Sequence, residues 1–188
     1  MTRDKHIPAK ERILLAAHDL FYRQGIRATG IDRIIADSGV TKVTLYRHFP
    51  SKNELVRAFL DYRHTRWMEW FKSTIKRHGQ NIDALVPTLM DWFQGEDFRG
   101  CAFINTVGEL ATDFPEVVDL ARRHKEAMTA AIFDLLPAMH NRDLIAHALG
   151  IAVDGAIVRV QYGQRPEDTA NALTEIIRAL TPERPSAK

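Results

Sequence analysis

At 188 residues and 45% hydrophobic content, the chain is long enough to bury a substantial core, which excludes intrinsic disorder. Its one cysteine, Cys101, excludes a disulfide framework and multi-cysteine zinc sites. With no signal-peptide-like start and no eighteen-residue apolar run, the expectation is a soluble protein of the reducing cytoplasm with no membrane partner. The net charge of +2 hides an asymmetry, because residues 1–64 carry 12 Lys and Arg against 7 Asp and Glu, whereas the remainder carries 14 against 17. Such polarity suits an N-terminal module that meets a polyanion.

Glycine and proline punctuate a chain whose apolar residues otherwise recur at helical spacing, so the predicted fold class is all-α. After a polar, basic arm, Pro8 stands at a first helical turn, and Ile13, Ala16, Ala17, Leu20 and Phe21 mark a buried stripe that ends at Gly25. Thr29 is the expected N-cap of a two-turn segment carrying Ile31, Ile34 and Ile35 inward until Ser38-Gly39. Thr41 caps a third helix, Lys42 to about His48, with Leu45 on its buried side. Ser51 and Glu54 have capping-box spacing, and the helix they open stays apolar on a broad face through Trp67, Trp70, Phe71 and Ile75 as far as His78-Gly79. Further helices are expected near 82–94, 100–112, 115–136, 141–162 and 166–180, and Thr181 to Lys188 reads as a frayed tail.

Two short helices joined by a glycine turn form the pattern of a helix-turn-helix, whose second helix reads DNA. In TKVTLYRH, residues 41–48, Leu45 faces inward while Lys42, Thr44, Tyr46, Arg47 and His48 offer hydrogen-bonding groups outward. Lys42 and Thr44 lie near the end that enters a major groove, Tyr46 and His48 suit phosphates, and Lys52 adds a cation at the next helix start. The same residues also describe an ordinary solvated face.

The ordered run ILLAAHDLFYRQG, IDRIIADSGVTKVTLYRHF and SKNELV, within Arg12 to Arg57, resembles the N-terminal domain of TetR-type (TetR/AcrR) transcription regulators. The resemblance implies a DNA-binding domain over 8–64, with its helix-turn-helix at about 31–50, and a helical effector-binding and dimerisation domain over 65–181. It places Lys42, Val43 and Thr44 at bases and Tyr46, His48 and Lys52 at phosphates, with Thr29 and Arg47 as additional contacts. Gly30 departs from the family's usual Thr and removes a hydroxyl, and Val43 replaces a smaller residue and can meet a thymine methyl. The implied partners are a palindromic double-stranded operator, a small-molecule effector of unknown identity and a second copy of the chain. The implied outcome is repression, relieved when the effector tilts the long helix that begins at Ser51. Regulation by a protein partner, or activation, is the alternative.

Residues 98–110, FRGCAFINTVGEL, resemble a C-terminal-domain subset with an RGC-x-F/I-N pattern. Effector-pocket candidates are Met90, Trp92, Phe93, Phe103, Asn105, His124 and Met128, although aromatic residues at helical spacing equally describe packing. The penultimate helix is apolar on more than one face, from Leu144 to Val160. A four-helix dimer contact is therefore expected through Leu149, Ala152, Val153 and Ala156 with Leu173, Ile176 and Ile177; the alternative is a central helix buried within a monomer. Neither GxSxG, HExxH, a P-loop nor a Rossmann glycine run is present, and the eight histidines are scattered, so no enzyme, metal or cofactor is expected.

Overall fold

The computed structural model describes residues 7–181, so the expectations for the N-terminal arm through residue 6 and for the tail from 182 lie outside the described residues. Within them the chain is helical throughout: α1 (Ala9–Gln24), α2 (Ile31–Ser38), α3 (Lys42–His48), α4 (Lys52–Arg77), α5 (Leu85–Phe93), α6 (Ala102–Leu110), α7 (Glu116–Leu135), α8 (Arg142–Gln161) and α9 (Pro166–Leu180). None of these is long and apolar enough to cross a membrane.

Local chemistry explains most boundaries. Thr41 caps α3, its hydroxyl accepting the Thr44 N–H at 3.2 Å, and Ser51 accepts the Glu54 N–H at 3.1 Å to start α4. Gly39 ends α2 in the left-handed conformation, φ 63°, which makes the tight corner before α3 inexpensive. The carbonyls of Ser38 and Gly39 at that corner are taken by the Arg12 guanidinium of α1 at 2.7 and 3.2 Å. The expected helix at 82–94 begins instead as a short 3-10 turn, Ile82–Ala84, because the Asn81 side chain accepts the Asp83 N–H and tightens the first turn.

The start of α2 also differs from expectation. Gly30 occupies the N-cap of α2, and Thr29 is only 1% exposed, its hydroxyl donating to the carbonyl of Gly25 at 2.7 Å. A buried hydroxyl needs a partner at once, and the preceding turn supplies one.

The chain divides into two compact units. The first runs through Arg66 and also takes in Cys101–Arg122, which the sequence pattern assigned to the C-terminal half. Its interior is built from Ile13, Ala17 and Phe21 of α1, Ile34 of α2, Leu45 of α3, and Leu55, Val56 and Phe59 of α4. Phe21 meets Phe59 edge-on at 5.5 Å. Each fully buried Leu, Ile or Phe contributes about 1.5–3 kcal/mol, so Leu45 alone does much to seat the short α3.

The second unit holds Trp67–Gly100 and the chain from Arg123 onward. Helix α9 packs on α8 and α5, with Phe71, Leu85, Leu89, Ile132, Leu149, Val153, Leu173 and Ile177 buried. Lys125 of α7 pairs with Asp154 of α8 at 2.5 Å, and His78 meets Asp91 at 2.9 Å. Gly100 of the RGC pattern holds φ 79°, with the Gln161 side chain standing where a Cβ would lie; no other residue type fits there without displacing that side chain.

Candidate functional site

Helix α3 owes its position to one buried side chain and its chemistry to the rest. Leu45 is fully buried, while Lys42, Val43, Tyr46, Arg47 and His48 are exposed, with Val43 at 71%. Thr44 is half-buried and shares a 2.9 Å hydrogen bond with the Thr41 hydroxyl. No acidic residue occurs between Val40 and Asn53, so the surface offers cations, hydroxyls, an imidazole and one aliphatic group. Hydrogen-bond donors that are uncompensated by carboxylates suit phosphate and base edges, and an aliphatic group among them suits a thymine methyl.

The structure thus brings Lys42, Val43, Tyr46, Arg47 and His48 together on one face, with Thr44 at its margin. Two of the residues expected at DNA have partners within the protein. Thr29 is in the interior, and its hydroxyl is already engaged. The Lys52 ammonium donates to the carbonyls of Ile26 at 2.6 Å and Thr29 at 2.7 Å, and lies 6.0 Å from the Phe21 ring centre. Burial pushes its pKa below the usual lysine value, and the charge of Glu109 acts in the opposite direction. Lys52 therefore ties the α1–α2 loop to the start of α4. The sequence spacing located this lysine correctly at the first turn but carried no sign of the two carbonyls above it.

The pocket candidates separate. Phe103 and Asn105 belong to the first unit, whereas Met90, Trp92, Phe93, His124 and Met128 belong to the second. In the second unit the rings converge on a residue that the sequence pattern treated only as part of an apolar face, Trp67. Its indole stacks on Phe71 at 4.7 Å and meets His124 at 5.3 Å and Trp92 at 5.4 Å edge-on. The Trp67 Nε1–H is buried without a hydrogen-bond partner. Phe93, His124 and Met128 are buried, and Met90 and Trp92 half-buried. An unsatisfied indole N–H costs free energy until an acceptor reaches it. The run Trp67-Trp70-Phe71 was the available signal, but only the fold shows which ring lies at the centre.

The expected dimer residues divide between core and surface. Leu149, Val153 and Ile177 are buried within the unit itself, whereas Ala156 and Leu173, though largely buried, border a groove that opens to solvent. Helix α8 carries apolar residues on every side, so periodicity could not say which side faces inward. The outward stripe is Leu144, Ile151, Val158 and Tyr162, with Ile151 at 75% and Leu144 at 67% exposed, joined by Ile176 of α9. Ala152, Ala156, Leu173 and Ile176, all among the expected residues, line an open groove of about 230 Å³ between α8 and α9, together with Gly155, Arg159, Gln164, Thr169 and Ala172.

Among the described residues no group of three His, Cys, Asp or Glu side chains is placed to hold a metal ion.

The family model described as bacterial regulatory proteins, tetR family, matches residues 13–59. Over 166 residues the chain is 31% identical to the HTH-type transcriptional activator FasR of Mycolicibacterium smegmatis, covering 82% of this chain and 74% of that protein. It is 33% identical over 117 residues to an HTH-type transcriptional repressor of Mycobacterium tuberculosis, covering 57% of this chain and 54% of that protein. Among solved structures, SCO4454, a TetR-family transcriptional regulator from Streptomyces coelicolor, matches with a TM-score of 0.81 at 27% identity, over 92% of this chain and 88% of that one. The multidrug binding protein EbrR, solved in complex with malachite green, shares the fold with a TM-score of 0.69 at 20% identity, over 93% and 98%.

Proposed function

The chain belongs to the TetR family of bacterial regulatory proteins, which are DNA-binding transcriptional regulators rather than enzymes, and from that premise we propose that it is a homodimeric, effector-responsive repressor that binds a palindromic operator in the cytoplasm. The observation that carries the reading is the outward face of α3, where Lys42, Val43, Tyr46, Arg47 and His48 stand exposed on a helix seated by Leu45. Residues 8–64 do the reading, and the helices beyond supply the effector site and the dimer contact. In a two-fold dimer the two α3 helices enter successive major grooves about one helical turn apart, so the operator is an imperfect palindrome.

Dimerisation through the outward stripe of α8 and α9 is supported by its character: exposed aliphatic groups repeat beside a groove of small residues, so one surface carries both knob and hole, as a self-complementary contact requires. The effector site is supported by the Trp67 cluster, whose unpaired indole N–H suits an unsaturated, mainly apolar ligand bearing a hydrogen-bond acceptor. The complex of EbrR with malachite green makes aromatic ligands the first to try. Effector and operator are then coupled antagonists. Activation is the second reading, favoured by the 31% identity with an activator.

The decisive experiment is selection of random duplexes by the purified protein and by its Lys42→Ala/Val43→Ala variant at fixed salt. A palindromic consensus from the native protein that is altered in the variant is the expected result. No enrichment from folded protein at low salt would sink the DNA-reading proposal. A reporter placed behind the selected operator then separates repression from activation by the sign of the change when the gene is deleted.

A further inference from the structure

The segment Cys101–Arg122 belongs to the same compact unit as α1–α3, and its contacts there are concentrated at the corner between α6 and α7. Arg27, in the loop between α1 and α2, makes three of them. Its N–H donates to the Glu109 carboxylate at 2.8 Å, its Nε–H to the Glu109 carbonyl at 2.6 Å, and an Nη–H to Asp113 at 2.5 Å. Arg57 of α4 adds two more: its guanidinium forks onto both oxygens of Glu116 at 2.7 and 2.5 Å and lies 5.9 Å from the Phe114 ring centre, while also pairing with Glu54 of its own helix at 2.6 Å.

The loop that Arg27 belongs to is the one that delivers α2. Lys52 holds it from α4 through the carbonyls of Ile26 and Thr29, and Thr29 closes it internally onto Gly25. At Gly25 a Cβ would stand 3.2 Å from the Glu109 carboxylate at a backbone φ of 88°, so the corner also approaches the loop backbone closely. Helices α2 and α3 pack on α1 and on each other, so whatever sets the loop sets the reading helix. A base-reading helix must be held to about half an ångström, and a fixed two-arginine clasp can decide that even where its exposed ion pairs add little to stability.

We propose that the α6–α7 corner is a clasp that positions α3 for operator binding, with Arg27 and Arg57 as positioning residues that do not touch the DNA. The inference rests on the DNA-reading role above.

The competing role for Arg27 is a direct phosphate contact, and the two roles predict opposite behaviour when the acidic side is removed. The test is anisotropy with the selected operator at about 50 and about 200 mM salt. It uses the full chain, Arg27→Ala, Arg27→Lys, Glu109→Gln/Asp113→Asn, and the combination of Arg27→Ala with the acidic-side pair. The clasp predicts about fivefold weaker binding for each set, an unchanged salt slope, no rescue by lysine, and a combined variant no worse than either parent. Unchanged or tighter binding by Glu109→Gln/Asp113→Asn would overturn it, as would a salt slope shallower by about one contact in Arg27→Ala. Melting curves confirm that each variant is folded, and Arg57→Lys, which keeps the charge but not the fork, is expected to repeat the loss if an Arg27 variant melts early. Failure of the native protein to bind any duplex would remove the DNA-reading role itself, a result distinct from native binding that the clasp variants leave untouched.

Discussion

Helices α3 and α8 both hold aliphatic side chains out in solvent, for different reasons. On α3, Val43 is a lone exposed aliphatic group among Lys42, Tyr46, Arg47 and His48. On α8, Leu144, Ile151, Val158 and Tyr162 repeat down one side of a helix whose opposite side, Leu149, Val153 and Ile157, is already in the core. One methyl-bearing group among donors fits the edge of a base pair, whereas apolar groups repeated along one side of a helix fit a like surface. The neighbours of an exposed apolar residue, more than its own hydropathy, indicate the kind of partner it meets.

The most forceful way to break this comparison is to exchange the two sides of α8. Leu149→Ala is expected to cost about 2–5 kcal/mol in denaturant unfolding, as large-to-small changes in a packed core do. Ile151→Asp is expected instead to leave a folded protomer and to halve the mass seen by sedimentation equilibrium. If Ile151→Asp sedimented as the native protein does, the outward stripe would not be the dimer contact.

On the DNA-binding side, Lys52→Met is expected to destabilise the protein by about 1–3 kcal/mol, because two carbonyls lose a charged donor. The salt slope of operator binding should stay unchanged. A flattened slope with native stability would restore Lys52 to the phosphate contacts. Next in size, Lys42→Ala is expected to relax preference at one operator position by about 1–3 kcal/mol, and Val43→Ala by less, with the loss confined to a position occupied by thymine. Substituting uracil for that thymine, which removes the methyl alone, should reproduce the Val43→Ala effect and add nothing to it.

The smallest effect expected is one of pH. His18 of α1 packs against Tyr22 of its own helix and against Phe59 and Tyr62 of α4, with Asp19, Arg63 and Arg66 as its charged neighbours. Burial, the largest cause, pushes its imidazole below the usual value; the hydrogen bond and charge of Asp19 oppose the shift, and the charges of Arg63 and Arg66 add to it. The unfolded chain therefore binds a proton more readily than the folded one. The stability contributed by neutral His18 is complete above about pH 6.5 and is lost as pH falls from there toward the depressed folded value. His18→Phe should flatten that part of the stability profile, and an identical slope in the variant would assign the pH dependence to another group.

By itself the sequence determined most of the helices and the outward face of α3. Periodic apolar residues and hydroxyl caps are local, so α1 to α4 and α9 could be placed close to their observed ends, and the seating of Leu45 left Lys42, Val43, Tyr46, Arg47 and His48 outward by helical geometry alone. Tertiary structure decided everything that depends on a second element. Thr29 was drawn inside by the carbonyl of Gly25, and Lys52 was claimed by the carbonyls of Ile26 and Thr29. Trp67 became the centre of its ring cluster, and 101–122 joined the unit that holds α3. Helix α8 is the plainest case: with apolar residues all round it, the sequence pattern is the same whichever side turns inward, and only packing against α9 resolves that symmetry.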